Sequence, residues 1–155
     1  MPIRKAIHAD IDALERLWRE MMQFHWERDP YFTIAEDAEV NHRLYMESLI
    51  EGEDTLVLVC EDDGEVLGNI IAHIRAYPPI YLHKKFVEIS EISVTASQRR
   101  NGLGGRLLEH ILDWAREQGI KRVECMVALE NPVSQGFWKG NGFRAVTETC
   151  VLELE

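Results

Sequence analysis

The sequence predicts a single α/β domain built around a mixed β-sheet. The chain has 155 residues, of which 46% are hydrophobic and 28% charged, a composition typical of a globular domain with one core. An Asp-Gly dipeptide at 63–64 joins two β-rich segments. Between residues 86 and 129, an apolar strand, an amphipathic helix and a second apolar strand follow one another, a pattern that favours parallel strands with a crossover helix. We therefore expect residues 1–155 to form one domain.

The first half of the chain predicts a strand, two helices and a hairpin. The stretch "IRKAI" is the strand, and Asp10 is the expected N-cap of a helix that ends before Pro30. A second helix is predicted over 36–51, with a less regular apolar stripe. The hairpin "TLVLVCEDDGEVLGNIIAHIRA" turns at 63–64, where an Asp-Gly pair tolerates the positive φ values of a tight turn.

The second half adds the crossover unit. The loop "YPPIYLHKK" at 77–85 contains two prolines and precedes the strand "FVEISEISV". Apolar residues recur at helical spacing over 103–118, and Gly119 is the expected residue after the helix end. The stretch "IKRVECMVAL" is then predicted as a buried strand, followed by a helix over 132–139 and a final strand pair in "FRAVTETCVLEL".

Composition excludes several classes of partner. The net charge of −10 repels phosphate backbones and anionic lipid surfaces, so we expect neither nucleic acid nor membrane binding, and it favours a cationic ligand such as an amine. No segment approaches the roughly 20 apolar residues of a membrane-spanning helix. Cys60, Cys125 and Cys150 are isolated within apolar stretches, which predicts buried reduced thiols and a cytoplasmic protein. The six histidines have no ligand spacing, so no metal is expected.

The stretch "RRNGLGG" at 99–105, here called the glycine loop, joins a predicted strand to a predicted helix. The first N–H groups of a helix have no partner and carry the positive end of its dipole, so this position favours an anion such as a phosphate. A dinucleotide GxGxxG motif would need glycine at Leu107, and the GK[ST] of a Walker loop is absent. Alternatively, the glycines let the helix pack closely on the sheet.

Two motifs together resemble the GNAT superfamily of acetyl-CoA-dependent N-acyltransferases. The glycine loop resembles the R/Q-x-x-G-x-G/A motif of that family, and "NPVSQGFWKGNGF" resembles its N-x-x-A/S-x-x-F/L-Y-x-x-x-G-F segment. The resemblance implies a twisted, mostly antiparallel sheet, flanked by helices, whose two central parallel strands splay apart around acetyl-CoA. It also implies an N-acetyltransferase whose glycine loop holds the pyrophosphate of the cofactor.

The same resemblance assigns roles to individual residues. The backbone of Ile92 and Val94 would pair with the pantetheine arm, and the Val94 N–H would polarise the thioester carbonyl, where one hydrogen bond is worth about 3 kcal/mol of barrier. The remaining cofactor contacts implied by the two motifs are Arg99, Arg100, Asn101, Gly102, Leu103, Gly104, Gly105, Asn131, Ser134, Phe137 and Trp138.

Acetyl transfer to an amine needs a base, because an ammonium group has no lone pair for attack. Glu88 and Glu91 both lie in the strand before the glycine loop. Strand alternation places Glu88 on the face of Ile92 and Val94, with Glu91 opposite unless a bulge intervenes. Distance from the motif favours Glu88.

Trp138 stands where many family members have a tyrosine that protonates the departing thiolate, and an indole N–H is not a proton acid near neutral pH. Two explanations stay open. Either water or Ser134 supplies the proton, or the domain is a non-catalytic acyl-CoA-binding sensor or interaction domain.

The acceptor is expected to be a primary amine of a small molecule or peptide. Phe32 and the "YPPIY" loop are the candidates for contacting it, whereas the aromatic residues of the first helix are mostly expected in the core. The resemblance also implies a possible homodimer, because family members often pair through their last strands and the apolar stretch "TCVLEL" is a candidate edge that would otherwise be exposed. The identity of the amine, and the use of longer acyl groups, are not encoded in these motifs.

Overall fold

Five strands form one mixed sheet in the computed structural model, which describes residues 1–155. The strands are β1 (Ile3–Lys5), β2 (Thr55–Asp62), β3 (Glu65–Ala76), β4 (Lys85–Val94) and β5 (Val123–Cys125), and they lie side by side in sequence order. The pairs β1–β2, β2–β3 and β3–β4 are antiparallel, and β4–β5 is parallel. The predicted fold class, a mixed and mostly antiparallel sheet with two parallel strands, is confirmed.

Helices cover both faces of this sheet. They are α1 (Ile11–Trp26), α2 (Ala38–Glu51), α3 (Leu103–Glu117) and α4 (Pro132–Gly140). One apolar core lies between the sheet and α1 with α2, and the other lies between the sheet and α3 with α4. Strand β2 serves both cores, because Leu58 faces the second and its neighbour Val59 the first. None of the helices combines the length and apolar character needed to cross a membrane.

Two predicted glycine positions have the backbone conformation that their sequence context requires. Asp63 and Gly64 have φ values of 48° and 82° and connect β2 to β3. Gly119 has φ 70° after α3, and the Ile120 N–H donates to the Ala115 carbonyl at 2.9 Å. These are the geometries of a tight hairpin turn and of a helix end closed by a left-handed glycine.

The predicted final strand pair is absent. Residues 144–155 form no strand, and Val146, Val151, Leu152 and Leu154 are between 62% and 87% exposed. The predicted strand in "IKRVECMVAL" is also shorter than expected, since β5 covers only Val123–Cys125 and is half-buried. A strand needs a partner edge, and a three-residue edge offers few ladder hydrogen bonds to a following strand. Cys150 is consequently exposed rather than buried.

Two predictions about the first helices need correction. Asp10 occupies the N-cap position of α1, but its side chain caps no helical N–H; it binds Arg4 and accepts from the Ile7 N–H at 2.8 Å. Helix α2 begins at Ala38 rather than at 36, and Val40 and Leu44 of its expected stripe are exposed. The buried residues of α2 are instead His42, Met46 and Leu49.

Candidate active site

The sheet opens where β4 continues beyond the end of β5. Parallel pairing begins at Val87 with Val123 and ends at Ile89 with Cys125, whereas β4 runs on to Val94. Residues 91–94 of β4 therefore have strand neighbours on the β3 side alone. The result is a cleft between two parallel strands whose pairing ends at Ile89, as the resemblance to the GNAT superfamily implied.

Backbone direction places free amides along this cleft. The Thr95 N–H donates to the Leu67 carbonyl at 2.8 Å, which is on the β3 side. Successive amides of a strand point to opposite edges, so the N–H of Val94 and that of Ile92 point away from β3 and into the cleft. The Arg99 Nε donates to the Val94 carbonyl at 3.2 Å, which is consistent with this direction.

A β-bulge at Ser90 changes which side chains share a face. Ala72 pairs with Ile89 and Ile71 pairs with Glu91, so Ser90 is the extra residue. After the bulge Ile92 and Val94 pack on the α3 side, where Ile89 also lies. Glu88 and Glu91 consequently both face α1 and α2, opposite Ile92 and Val94. The prediction that placed Glu88 with Ile92 and Val94 is wrong, because the bulge inverts strand alternation.

Glu91 is a half-buried carboxyl group at the cleft. Its Oε1 accepts a hydrogen bond from Asn69 Nδ2 at 2.9 Å. Removal from water disfavours the ionised form, and although the Asn69 hydrogen bond acts in the other direction, burial raises the pKa of Glu91 to about 7. At neutral pH this group can therefore both accept and release a proton.

Glu88 has a more solvated environment. Its side chain is 29% exposed, and it pairs with Arg75 at 3.3 Å. Its neighbour in β5 is Glu124, which accepts a hydrogen bond from the Tyr77 hydroxyl. The Arg75 guanidinium satisfies the Glu88 charge, so the two predicted glutamates differ clearly in environment.

The glycine loop leads into α3 with unpaired amides. Gly102 has φ 77°, and no side chain caps the helix. The Arg106 N–H makes the first helical bond, to the Gly102 carbonyl at 3.1 Å, so the preceding amides of residues 103–105 have no partner within the helix. A Cβ placed on Gly105 would meet no atom within 4 Å. The unpaired amides, the positive end of the α3 dipole and the open space at Gly105 together suit an anionic group.

Helix α4 closes the other side of the glycine loop. Asn131 caps it, because its Oδ1 accepts from the Ser134 N–H at 3.1 Å. A Cβ on Gly104 would come within 3.2 Å of Phe137 Cε2, so this glycine permits close packing of α3 against α4. Gly104 therefore serves close packing against α4, rather than the packing on the sheet that the alternative explanation of the loop proposed. Trp138 is 5% exposed and packs edge-on against Phe137 and Phe143 in the core.

The chain and its fold have matches among known proteins. Residues 11–143 match the model of the acetyltransferase (GNAT) family. The chain belongs to the GNAT acetyltransferase family. Membership makes the protein an acyltransferase, and it confirms the family that the two sequence motifs indicated.

Individual relatives agree with this family. An uncharacterized N-acetyltransferase of Archaeoglobus fulgidus is 28% identical over 144 residues, covering 93% of this chain and 93% of that protein. A tetramutant of the BH1408 protein from Bacillus halodurans has a TM-score of 0.90 at 24% identity, covering 99% of this chain and all of that one. A predicted acetyltransferase from Clostridium acetobutylicum, solved with acetyl-CoA, has a TM-score of 0.78 at 19% identity, covering 98% and 95%. These structures show that the fold is shared.

In this GNAT chain, most of the predicted cofactor residues lie around the cleft and the glycine loop. Ile92 and Val94 line the open edge of β4, and residues 99–105 follow it. Asn101 is exposed and bonds Gln98 at 3.3 Å. The side chains of Leu103 and Trp138 are the exceptions, because both are buried in the core, Trp138 against other aromatic rings.

The aromatic residues predicted to contact the acceptor are spread over two regions of the GNAT fold. Phe32 packs against His25 with a centroid distance of 4.9 Å. Tyr77, in the "YPPIY" loop, stacks on Phe86 at 4.3 Å. Trp18 of α1 stacks on His42 at 4.2 Å but is only half-buried, and Trp26 is 42% exposed, so the prediction that the aromatic residues of the first helix lie mostly in the core is wrong.

Sequence reasoning missed four polar residues on the α1 side of the cleft. They are Asn69, His73, Ser90 and Ser93, all on β3 or β4. Asn69 and His73 are almost completely buried, and His73 Nε2 lies 2.8 Å from Ser90 Oγ. The available signal was two polar residues, four positions apart, within the apolar stretch "LGNIIAHI".

Proposed function

We propose that this protein transfers an acetyl group from acetyl-CoA directly to a primary amine of a small molecule or peptide. The observation that carries the proposal is the position of Glu91, a half-buried carboxyl group with a pKa near 7, on the strand whose amides edge the cleft. Family membership and the related structure solved with acetyl-CoA support the choice of acyl donor.

The residues around the cleft suit acetyl-CoA, which supplies an activated acyl thioester when it is bound. The unpaired amides at the start of α3 and the guanidinium of Arg99 would hold the pyrophosphate. The amides of Ile92 and Val94 would bond the pantetheine arm and the thioester carbonyl. Phe137 borders the same loop, through its contact with Gly104.

Glu91 is our candidate for the base. An alkyl ammonium has a pKa of about 10.4, so raising the carboxyl pKa from about 4.5 to about 7 narrows the gap from about 6 units to about 3. A smaller gap makes proton removal from the amine easier. Glu88 is less suitable because its charge is paired with Arg75.

The cysteine nearest to the cleft is poorly suited to carry the acetyl group, which favours direct transfer from acetyl-CoA to the amine. Cys125 is the last residue of β5, and burial raises the pKa of its thiol to about 11. A thiol with that pKa is protonated at neutral pH and is a poor nucleophile. We therefore propose no acyl-enzyme intermediate.

The alternative, a non-catalytic acyl-CoA-binding domain, was suggested by the tryptophan at 138. Because Trp138 is packed in the core, we attribute the tryptophan at this position to packing rather than to a loss of catalysis. We propose that water or Ser134 supplies the proton for the departing thiol, whose pKa of about 8.5 already makes it a tolerable leaving group.

We also propose a cytoplasmic homodimer. The free thiols of Cys60 and Cys125 fit a reducing compartment. Exposed apolar side chains at Leu152 and Leu154 would be covered by a second copy of the chain. Cell fractionation tests the location. A monomeric mass in sedimentation equilibrium would contradict the dimer.

The test of the main proposal is release of CoA in the presence of a panel of amines, hydroxyl compounds and carboxylates. We expect acetyl-CoA turnover with primary amines alone, and a product mass increased by one acetyl group. Tight acetyl-CoA binding without turnover on any acceptor would favour the binding-domain alternative. Turnover confined to hydroxyl acceptors would contradict the amine assignment.

A further inference from the structure

Two unpartnered polar atoms lie beside Glu91. Asn69 Oδ1 and Ser93 Oγ are buried and have no hydrogen-bond partner within the protein. Asn69 is completely buried in the middle of β3, and Ser93 is half-buried on β4. Leaving a buried polar atom unpaired costs about 1 to 3 kcal/mol, so two such atoms at one place indicate a missing partner.

The two atoms belong to residues that face each other. Asn69 and Ser93 are directly paired across β3 and β4, on the face that carries Glu91. Directly paired residues have Cβ atoms about 5 Å apart, and these two side chains do not bond each other. One water molecule bridges such a gap, because it can donate to one oxygen and bond the other.

The same asparagine holds the carboxyl group. Asn69 Nδ2 donates to Glu91 Oε1 at 2.9 Å, which leaves Asn69 Oδ1 for the second contact. A donated hydrogen bond stabilises the ionised carboxylate and limits its rotation. Asn69 therefore connects Glu91 to the pair of unpartnered atoms.

We propose that Asn69 is the positioning residue of Glu91, and that Asn69 and Ser93 hold one buried water against this carboxyl group. This inference rests on the proposed function, in which Glu91 accepts the proton of the amine. Asn69 fixes the carboxylate, and the water satisfies Asn69 Oδ1 and Ser93 Oγ. The assembly keeps a charged form available at a site that otherwise disfavours charge.

Three other titratable groups near this face are either paired or neutral near pH 7. Glu88 is paired with Arg75, and burial lowers the pKa of His73, so that this imidazole is neutral near pH 7. On α2, burial also lowers the pKa of His42, which stacks on Trp18. Asn69 is the hydrogen-bond donor to Glu91 on this face.

The experiment follows the titration of Glu91 directly. We would label the full chain with ¹³C-glutamate and record the carboxyl shift against pH in wild type, Asn69→Leu and Ser93→Ala. Asn69→Leu keeps the branching of the side chain at Cγ and removes the donor, so we expect the midpoint to rise by about 1 pH unit. Ser93→Ala should raise it by a smaller amount.

Ile71→Val is the matched control, since Ile71 is buried on the same face opposite Glu91 and the change removes no polar atom. Its midpoint should stay within about 0.2 unit of wild type. An unchanged midpoint in a folded Asn69→Leu variant would overturn the positioning role. An unchanged midpoint in Ser93→Ala would overturn the water.

The acidic limb of the pH profile of kcat/KM distinguishes a failure of this inference from a failure of the proposed function. If Glu91→Gln removes that limb and Asn69→Leu shifts its midpoint to higher pH, the base assignment and the positioning role are both supported. If Glu91→Gln removes the limb while Asn69→Leu leaves its midpoint in place, the base assignment stands and the positioning role fails. If Glu91→Gln leaves the limb intact, the base assignment itself fails, and the titration of Glu91 in Asn69→Leu still decides whether Asn69 positions this carboxyl group.

Discussion

Glu88 and Glu91 project from the same face of β4 although they are three positions apart, because Ser90 forms a bulge between them. The same bulge leaves Ile92 and Val94 on the opposite face. Two carboxyl groups therefore flank one bend in the strand, one paired with Arg75 and the other half-buried against Asn69. Because their surroundings differ, we expect a large loss of activity when Glu91 is replaced and a small change when Glu88 is replaced.

Glu91→Gln should lower kcat/KM at pH 7 by about 10²- to 10³-fold, because the amide cannot accept the amine proton. Its pH profile should lose the acidic limb, whose midpoint in wild type we expect near pH 7. Glu88→Gln is the matched control and should change the rate by less than about 3-fold, since it breaks a largely solvated ion pair. Equal losses in the two variants, measured by CoA release, would contradict this assignment.

Glu91→Gln should also stabilise the protein at alkaline pH. The folded carboxyl has a pKa near 7 and the unfolded one a pKa near 4.5, so wild type loses stability as pH rises from 4.5 to 7. The variant does not, and its advantage should grow from nearly zero at pH 4.5 to at most about 3 kcal/mol at pH 8.

Urea unfolding at these two pH values measures the difference. Glu88→Gln provides the comparison, because the Glu88 carboxylate has a cationic partner and its removal should bring no gain at pH 8. A stability advantage of Glu91→Gln that is equal at both pH values would show that the carboxyl group is not held in its protonated form by burial.

Sequence patterns predicted the sheet and the position of the glycine loop because both depend on local signals. Residues close together in the sequence specify the turn at 63–64, the helix α3 and the helix end at Gly119. The cleft also followed from the resemblance, since parallel strands joined by α3 must lie next to each other. Local chemistry was sufficient for this part of the molecule.

The faces of the two glutamates could not be predicted, because a bulge is a property of a strand pair rather than of one strand. Nothing within "FVEISEISV" marks Ser90 as the extra residue; the pairing of its neighbours Ile89 and Glu91 with Ala72 and Ile71 of β3 decides that. The burial of Trp138 and the short length of β5 could not be predicted for the same reason. Both depend on contacts between segments that are distant in the sequence.

Arg99→Ala should weaken the use of acetyl-CoA while leaving small thioesters unaffected. Arg99 is exposed beside the unpaired amides of α3 and bonds the Val94 carbonyl at 3.2 Å. Loss of one charge-assisted hydrogen bond to a phosphate should raise the KM for acetyl-CoA by about 10-fold. An acetyl thioester of N-acetylcysteamine has no pyrophosphate, so its kcat/KM should not change.

Arg144→Ala is the matched control for charge, because Arg144 is exposed and follows α4, outside the glycine loop. It should leave both donors unaffected. If Arg99→Ala reduces the use of the two thioesters equally, the arginine acts on the strand geometry at Val94 and not on the pyrophosphate.

Trp138→Tyr restores the tyrosine that many GNAT proteins carry, yet we expect turnover to stay at the wild-type rate. The side chain at this position is 5% exposed and packed between Phe137 and Phe143, so a phenol there would be buried rather than directed into the cleft. The smaller ring should instead leave a void and cost about 1 to 3 kcal/mol in urea unfolding. Trp138→Phe, which has no hydroxyl, should be destabilised to a similar extent and turn over at the same rate. Turnover that is faster by about 10-fold or more in Trp138→Tyr alone, the scale of a gained general acid, would show that this position does reach the departing thiol.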